Sequence, residues 1–220
     1  SVGSWMQFRD PSVAEVMGRA GYDWIALDLE HGHFSRAHLP DLFRALELGG
    51  TLPFARLAVG SDDECKSVLD AGAAGVIVPM VDSADQLERV RAACCWPDAG
   101  TRGVAFSRAN MFGKDFEAYR VEAQAPFLVA MIEHVEALGE LESIFSVKGL
   151  DAVLIGPYDL SASLGRTGDL NHQDVLDAAA LIQRVALVRG VACGVHVVEP
   201  GEHVVLERIA SGDRFVAHSM

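Results

Sequence analysis

The sequence predicts an α/β fold of the (β/α)8 barrel type, and three observations carry that prediction. Eight short runs rich in Val, Ile, Leu and Phe recur along the 220 residues. These runs lack the strict polar–apolar alternation of a half-exposed sheet, as expected of parallel strands covered on both faces. Between them lie amphipathic segments with helix start and stop signals, which gives the strand–helix alternation of a barrel.

The strands are expected at 5–8 (WMQF), 24–28 (WIALD), 53–57 (PFARL), 75–81 (GVIVPMV), 127–132 (FLVAMI), 151–155 (DAVLI), 192–198 (ACGVHVV) and 214–218 (RFVAH). Asp10-Pro11 starts the first helix, running to Ala20 before Gly21. Leu39 to Leu48 follows, stopped by Gly49-Gly50. Ser61-Asp62-Asp63-Glu64 reads as a capping box for a helix ending at Ala71 before Gly72. Ser83 to Cys94 and Val135 to Val147 are next, then Asp174 to Arg189 and Glu202 to Ala210. Glycine just past the end supplies the left-handed cap in several of these. The rival architecture, a doubly wound open sheet, carries a Gly-rich phosphate loop after its first strand. Here Arg9-Asp10-Pro11 follows that strand and no such loop exists. Residues 96–124 form a long segment between the fourth and fifth strands, and long segments of this kind are often functional.

Composition narrows the function classes. The chain has 18 basic and 31 acidic residues, a formal net charge of −13. That surface disfavours nucleic acid and anionic membrane as partners. No apolar run reaches the roughly 18 residues needed to span a bilayer, and the start lacks the pattern of a signal peptide. Cys65, Cys94, Cys95 and Cys193 contain no Cys-x-x-Cys pair and read as small buried residues with reduced thiols. A single domain over 1–220 and a cytoplasmic location are expected.

In a barrel, chemistry gathers at the C-terminal ends of the strands. Polar residues there include Asp28, Glu30, His31 and His33, Arg56 within PFARL, Glu133 and His134, Tyr158 and Asp159, His196 and His218. Glu133 and Asp159 fit two oxygen ligands of a hard divalent cation, or equally the caps of the segments that follow them. Asp28 and His31 fit a proton-transfer dyad, or equally a solvated helix-start cluster. Arg56 in an apolar run needs an anion, either an internal carboxylate or a substrate oxyanion. His31-x-His33 also allows a zinc amidohydrolase. No lysine ends a strand, which counts against a Schiff-base aldolase.

Taken together, GRAGYDWIALDLEHGHFS, LDAGAAGVIVPMVDSADQLERV, GTRG, MIEHVEAL and GLDAVLIGPYDLSASLG resemble the HpcH/HpaI aldolases, in order and over nearly the whole chain. The resemblance implies a TIM barrel of the phosphoenolpyruvate/pyruvate-binding type. It implies a class II pyruvate aldolase that cleaves a 4-hydroxy-2-oxo acid or 2-keto-3-deoxy sugar acid to pyruvate and an aldehyde. Position by position, it implies Glu133 and Asp159 as ligands of Mg²⁺, Mn²⁺ or Co²⁺, and His31 with Asp28 as the catalytic dyad. It also implies Arg56 on the keto oxygen and enolate, backbone amides near Tyr158 and Asp159 on the carboxylate, and Trp5 beside the pocket. Homo-oligomers, as hexamers built from dimers, are implied as well. Met131 stands where many members carry Gln, and 104–116 is shorter and less basic than in typical members, with distal substrate contacts expected through Arg108 and Asn110. Alternatives are a citrate-synthase-like or CoA-ester lyase of the same superfamily, the zinc amidohydrolase, and a non-catalytic keto-acid binder. The eighth strand closes the given chain, so the last helix is expected to be missing and the chain to be a piece of a longer protein.

Overall fold

The computed structural model describes residues 1–219; Met220, and with it the expectation about the chain's end, lies outside them. Eight parallel strands close into a barrel in sequence order, with β1 paired to both β2 and β8. They are β1 (Val2–Met6), β2 (Trp24–Asp28), β3 (Leu52–Arg56), β4 (Gly75–Val78), β5 (Phe127–Ile132), β6 (Ala152–Ile155), β7 (Ala192–Val197) and β8 (Val216–His218). The α-helices among the described residues are α1 (Pro11–Gly18), α2 (Leu39–Gly49), α3 (Asp62–Ala71), α4 (Ala84–Cys94), α5 (Phe116–Glu122), α6 (Leu141–Ile144), α7 (Pro157–Ser163), α8 (Gln173–Arg189) and α9 (Glu202–Ala210). None is long and apolar enough to cross a membrane. All four cysteines are free and buried.

Side chains alternate across each strand, so every strand feeds two cores. Ile25, Leu27, Val76, Val78, Ile132 and Val153 point outward and join the helices in one apolar cluster. Trp24, Phe54, Ile77, Val129, Leu154 and Phe215 point inward and fill the barrel. The Trp24 and Phe215 rings stack at 4.6 Å, and Phe54 tilts against Trp24 at 5.8 Å. This layer needs room on the neighbouring strand: a Cβ at Gly3 would lie 2.0 Å from the Trp24 ring. Filled in this way, the interior is a packed floor rather than a pore.

Several element boundaries differ from the sequence reading. The first strand ends at Met6, because its pairing with β2 ends at Met6–Leu27; Gln7 and exposed Phe8 project beyond the sheet. The fourth strand ends at Val78, because Met80 turns left-handed with φ 49°. The expected helix over 135–147 is two short pieces, a 3₁₀ turn at Val135–Gly139 and α6. Gly139 weakens the middle, and the Ser143 hydroxyl donates to the Glu140 carbonyl, a local bond that competes with helix. Ser61 caps α3 by accepting from the Glu64 N–H, but Glu64 does not complete the box. Its carboxylate accepts from the N–H groups of Ala58, Val59 and Gly60 instead, shaping the loop after β3.

The 96–124 segment has structure of its own: a 3₁₀ turn at Arg108–Gly113 and then α5. Arg108 donates to the Ala71 carbonyl and pairs with Glu47, at the C-terminal ends of α3 and α2. Helices in this fold return antiparallel to the strands, so Arg108 lies toward the face opposite the strand ends. Asn110 is buried and braces its own turn, accepting from the N–H groups of Ser107 and Gly113 and donating to the Ala105 carbonyl. Distal substrate contacts through these two residues are therefore corrected to structural ones.

Candidate active site

Pleating decides what meets at the C-terminal rim. Asp28 and Arg56 are directly opposite in the β2–β3 register and share the inward face with Trp5. The Asp28 carboxylate takes two bonds from Arg56, Nε to Oδ1 at 2.8 Å and Nη2 to Oδ2 at 2.6 Å. Gln7 Nε2 donates to Oδ2 at 2.7 Å, and the N–H groups of Glu30 and His31 donate to Oδ1 at 3.2 Å. Burial alone would raise the Asp28 carboxyl, but the bonds and charge of Arg56, with Gln7 and the His31 N–H, hold it below the usual carboxylate range. Asp28 is thus an anion committed to orienting Arg56.

This corrects the expected dyad. Asp28 meets His31 through the His31 backbone N–H, not through the ring. The ring is 60% exposed, and the carboxylate beside it belongs to Glu30, with His31 Nε2 3.9 Å from Glu30 Oε2. Glu30 also lies 3.4 Å from Arg56 Nη1. Burial raises its carboxyl, and Asp28 and Asp159 add to that, while Arg56 and His31 oppose it. Arg56 therefore lies between two carboxylates and beneath Trp5, its guanidinium carbon 4.5 Å from the ring centre.

Glu133 follows β5 and is 2% exposed. Oε1 accepts from the Met80 N–H at 2.7 Å, and that N–H is aimed by the left-handed backbone of Met80. Non-glycine residues adopt this conformation only where the surroundings impose it. Oε2 sits against Gly156, where a Cβ would approach to 2.3 Å. Burial pushes Glu133 up to about 7, helped by Glu30 and Asp159 and opposed by the Met80 N–H and Arg56. Asp159 is the third residue of α7 and is exposed, as is Tyr158 before it.

The charge of Asp159 reaches the Glu133 carboxylate, so the two are candidates for a two-oxygen donor set. Among the described residues no three His, Cys, Asp or Glu side chains gather as a ligand cluster. Two oxygen donors suit a hard cation that keeps waters and takes a substrate's oxygens, and a carboxylate this short of donors is relieved by one. The closed nitrogen-rich set of a zinc site is not assembled: His33 is exposed, and His196 binds Ser219 instead. That removes the geometric basis for the amidohydrolase alternative.

Four residues of this constellation carry no role in the sequence reading. Gln7 was legible only as a polar residue at a strand end. Glu30 stood in the Asp-Leu-Glu-His run, but sequence does not say which carboxylate faces the ring. Met80 acts through its backbone and Gly156 through having no side chain, so neither gives a chemical signal. Met131, where the resemblance led to an expectation of Gln, is buried in the barrel interior two residues before Glu133.

Comparison with known proteins gives the family and the fold. A family model described as HpcH/HpaI aldolase/citrate lyase matches residues 1–218. A hydroxypyruvate/pyruvate aldolase from Roseobacter denitrificans is 35% identical over 223 residues, covering 99% of this chain and 85% of that protein. A 2-keto-3-deoxy-L-rhamnonate aldolase from Klebsiella pneumoniae is 36% identical over 219 residues, covering 98% and 81%. The crystal structure of an HpcH/HpaI aldolase/citrate lyase family protein from Burkholderia cenocepacia superposes with a TM-score of 0.92 at 29% identity, over 99% of this chain and 87% of that one.

Proposed function

The chain belongs to the HpcH/HpaI aldolase/citrate lyase family, and from that premise we propose how its rim residues work as a carbon–carbon lyase. The reaction is retro-aldol cleavage of a 4-hydroxy-2-oxo acid to pyruvate and an aldehyde. The observation that carries the reading is Arg56: a buried guanidinium, clamped by Asp28, beside Glu133 on the same rim.

His31 is the base that takes the proton from the substrate's 4-hydroxyl, with Glu30 as the carboxylate beside its ring. The C3–C4 bond then breaks: the 4-oxygen becomes the aldehyde carbonyl, the bonding pair passes to the pyruvyl half as its enolate, and a proton delivered from solvent to C3 gives pyruvate while His31 releases its own. Arg56 stabilises that oxyanion. Asp28 fixes two of its nitrogens, so the guanidinium does not reorient as charge develops. Trp5 packs against Arg56 and keeps water from it. The first N–H groups of α7, at Tyr158 and Asp159, receive the pyruvyl carboxylate. Glu133 and Asp159 hold a divalent cation, Mg²⁺, Mn²⁺ or Co²⁺. Such a cation, when bound, supplies Lewis-acid polarisation of the keto oxygen. A cytoplasmic location and a homo-oligomer built from dimers complete the proposal; the free buried thiols support the first and family membership the second.

The test is pyruvate release from a panel of 4-hydroxy-2-oxo acids with each metal, before and after chelation. Release that stops with EDTA and returns with metal is expected. Full activity in EDTA, with borohydride trapping a lysine adduct, would overturn the reading. So would release of free CoA from acetyl-CoA and oxaloacetate in place of pyruvate formation.

A further inference from the structure

The left-handed turn that aims the Met80 N–H at Glu133 needs something to impose it, and the Met80 side chain does not. That side chain is 41% exposed, so packing does not hold the backbone at φ 49°. Two contacts to the following peptide unit do. Val81 is buried and donates its N–H to the Met131 carbonyl on β5 at 3.1 Å. Gln86, on the first turn of α4, donates from Nε2 to the Met80 carbonyl at 3.3 Å. Its Oε1 accepts from the Asp82 N–H at 3.0 Å. The peptide unit joining Met80 to Val81 is therefore held at both ends, its N–H by β5 and its C=O by Gln86.

Gln86 does this in place of ordinary helix capping. Ser83-x-x-Gln86 has the residues of a capping box, in which the glutamine reaches back to the N-cap N–H. Among the described residues Ser83 makes no side-chain cap bond, and Gln86 reaches past it into the turn. Both ends of the amide are spent on residues 80 and 82. The Met80 N–H in turn donates to Glu133 Oε1 at 2.7 Å. A chain of contacts thus runs from the start of α4 to the carboxylate after β5. Partners behind the ligands fix ligand orientation in metal sites, and their loss weakens metal binding.

We propose that Gln86 is a positioning residue for the metal-binding carboxylate: it imposes the left-handed turn at Met80, and through the Met80 N–H it fixes the orientation in which Glu133 receives a divalent cation. The inference rests on the reading of Glu133 as a metal ligand. It assigns Gln86 no contact with substrate or metal.

The test is Mn²⁺ affinity by calorimetry, with thermal melts of each chelated protein to check folding. Gln86→Leu removes both amide bonds and returns the Met80 carbonyl and the Asp82 N–H to water at the rim. Its Mn²⁺ affinity is expected to fall about tenfold, the low end of what losing an outer partner costs, in a protein that still melts cooperatively. Ser83→Ala removes the hydroxyl bond to Asp82 Oδ1 at the start of the same helix and should bind Mn²⁺ as wild type does. Glycine enters the left-handed region without steric cost. Met80→Gly added to Gln86→Leu should therefore bind Mn²⁺ more tightly than Gln86→Leu alone, whereas a defect in the helix start would not be repaired at residue 80. Wild-type affinity in Gln86→Leu, loss of its cooperative melt, an equal loss of affinity in Ser83→Ala, or no recovery in the double variant would overturn the assignment alone. No Mn²⁺ binding by wild-type protein, or binding that Glu133→Gln leaves unchanged, would overturn the metal reading and this assignment with it.

Discussion

Asp28 and Arg56 stand opposite each other in register on β2 and β3, and their side chains close a two-point ion pair inside the barrel rim. The pair is almost fully buried, at 0% and 8% side-chain exposure. Neither member can leave without stranding the other. That makes the arrangement a fixed platform: the guanidinium presents its remaining face, toward Glu30 and the rim, at an angle the sheet determines.

Asp28→Asn tests the platform. Breaking a buried ion pair costs about 3–5 kcal/mol, so a lower melting temperature is expected. Turnover should fall with it, because Arg56 loses its orientation. A variant with wild-type melting and wild-type kcat would show that Arg56 is held by other means.

His31→Ala separates the base from the fold. The ring is largely exposed and bonds little, so thermal stability should stay within a degree or so. Pyruvate release should drop by roughly 10²- to 10⁴-fold, the usual contribution of a positioned base. Unchanged release would pass the proton step to Glu30, which Glu30→Gln would then reveal.

Glu133 makes the stability of the metal-free protein depend on pH in a defined direction. Its carboxyl titrates at about 7 in the fold against an ordinary 4.5. A group raised by folding contributes its stability below its unfolded pKa and loses it as pH rises through the folded value. Between about pH 4.5 and 7 the metal-free enzyme should therefore lose up to about 3 kcal/mol from this residue. Melts of chelated wild-type and Glu133→Gln protein across that range check it: the slope should flatten in the variant. Added divalent metal should restore wild-type stability at pH 8 and have little effect on the variant.

Gly156→Ala is a small change with a specific target. The new methyl would lie 2.3 Å from Glu133 Oε2, forcing the carboxylate to turn. Calorimetric metal affinity should fall by at least tenfold while the barrel still folds, as read by circular dichroism. Metal affinity equal to wild type would show that Oε2 plays no part in holding the ion.

Much of this was legible in one dimension. The runs at 24–28 and 127–132 have the ends that the strands have, because continuous apolar runs between turn signals suit only a sheet buried on both sides. The strand-end filter also named Arg56, Glu133 and Asp159, which share one rim of the barrel. It missed what operates without a distinctive side chain: the Met80 N–H and the space left by Gly156. It also paired the wrong atoms, since Asp28 and His31 are three residues apart but their side chains diverge. The helix expected over 135–147 failed for a related reason, because Gly139 and the Ser143 hydroxyl outweigh an amphipathic pattern.

The sequence by itself determined the alternation of strands and helices, and so the barrel and the rim where chemistry gathers. Hydrophobic periodicity is local, and local patterns survive in a linear string. Only the tertiary structure decided which carboxylate serves which partner: Asp28 for Arg56, Glu30 beside His31, Glu133 against the Met80 N–H. The first and last of these depend on strand register and join residues 28 and 53 positions apart, and the second depends on which way neighbouring side chains turn at the rim. They are settled by closure of the sheet, which brings distant strand ends into one field where burial and charge are shared.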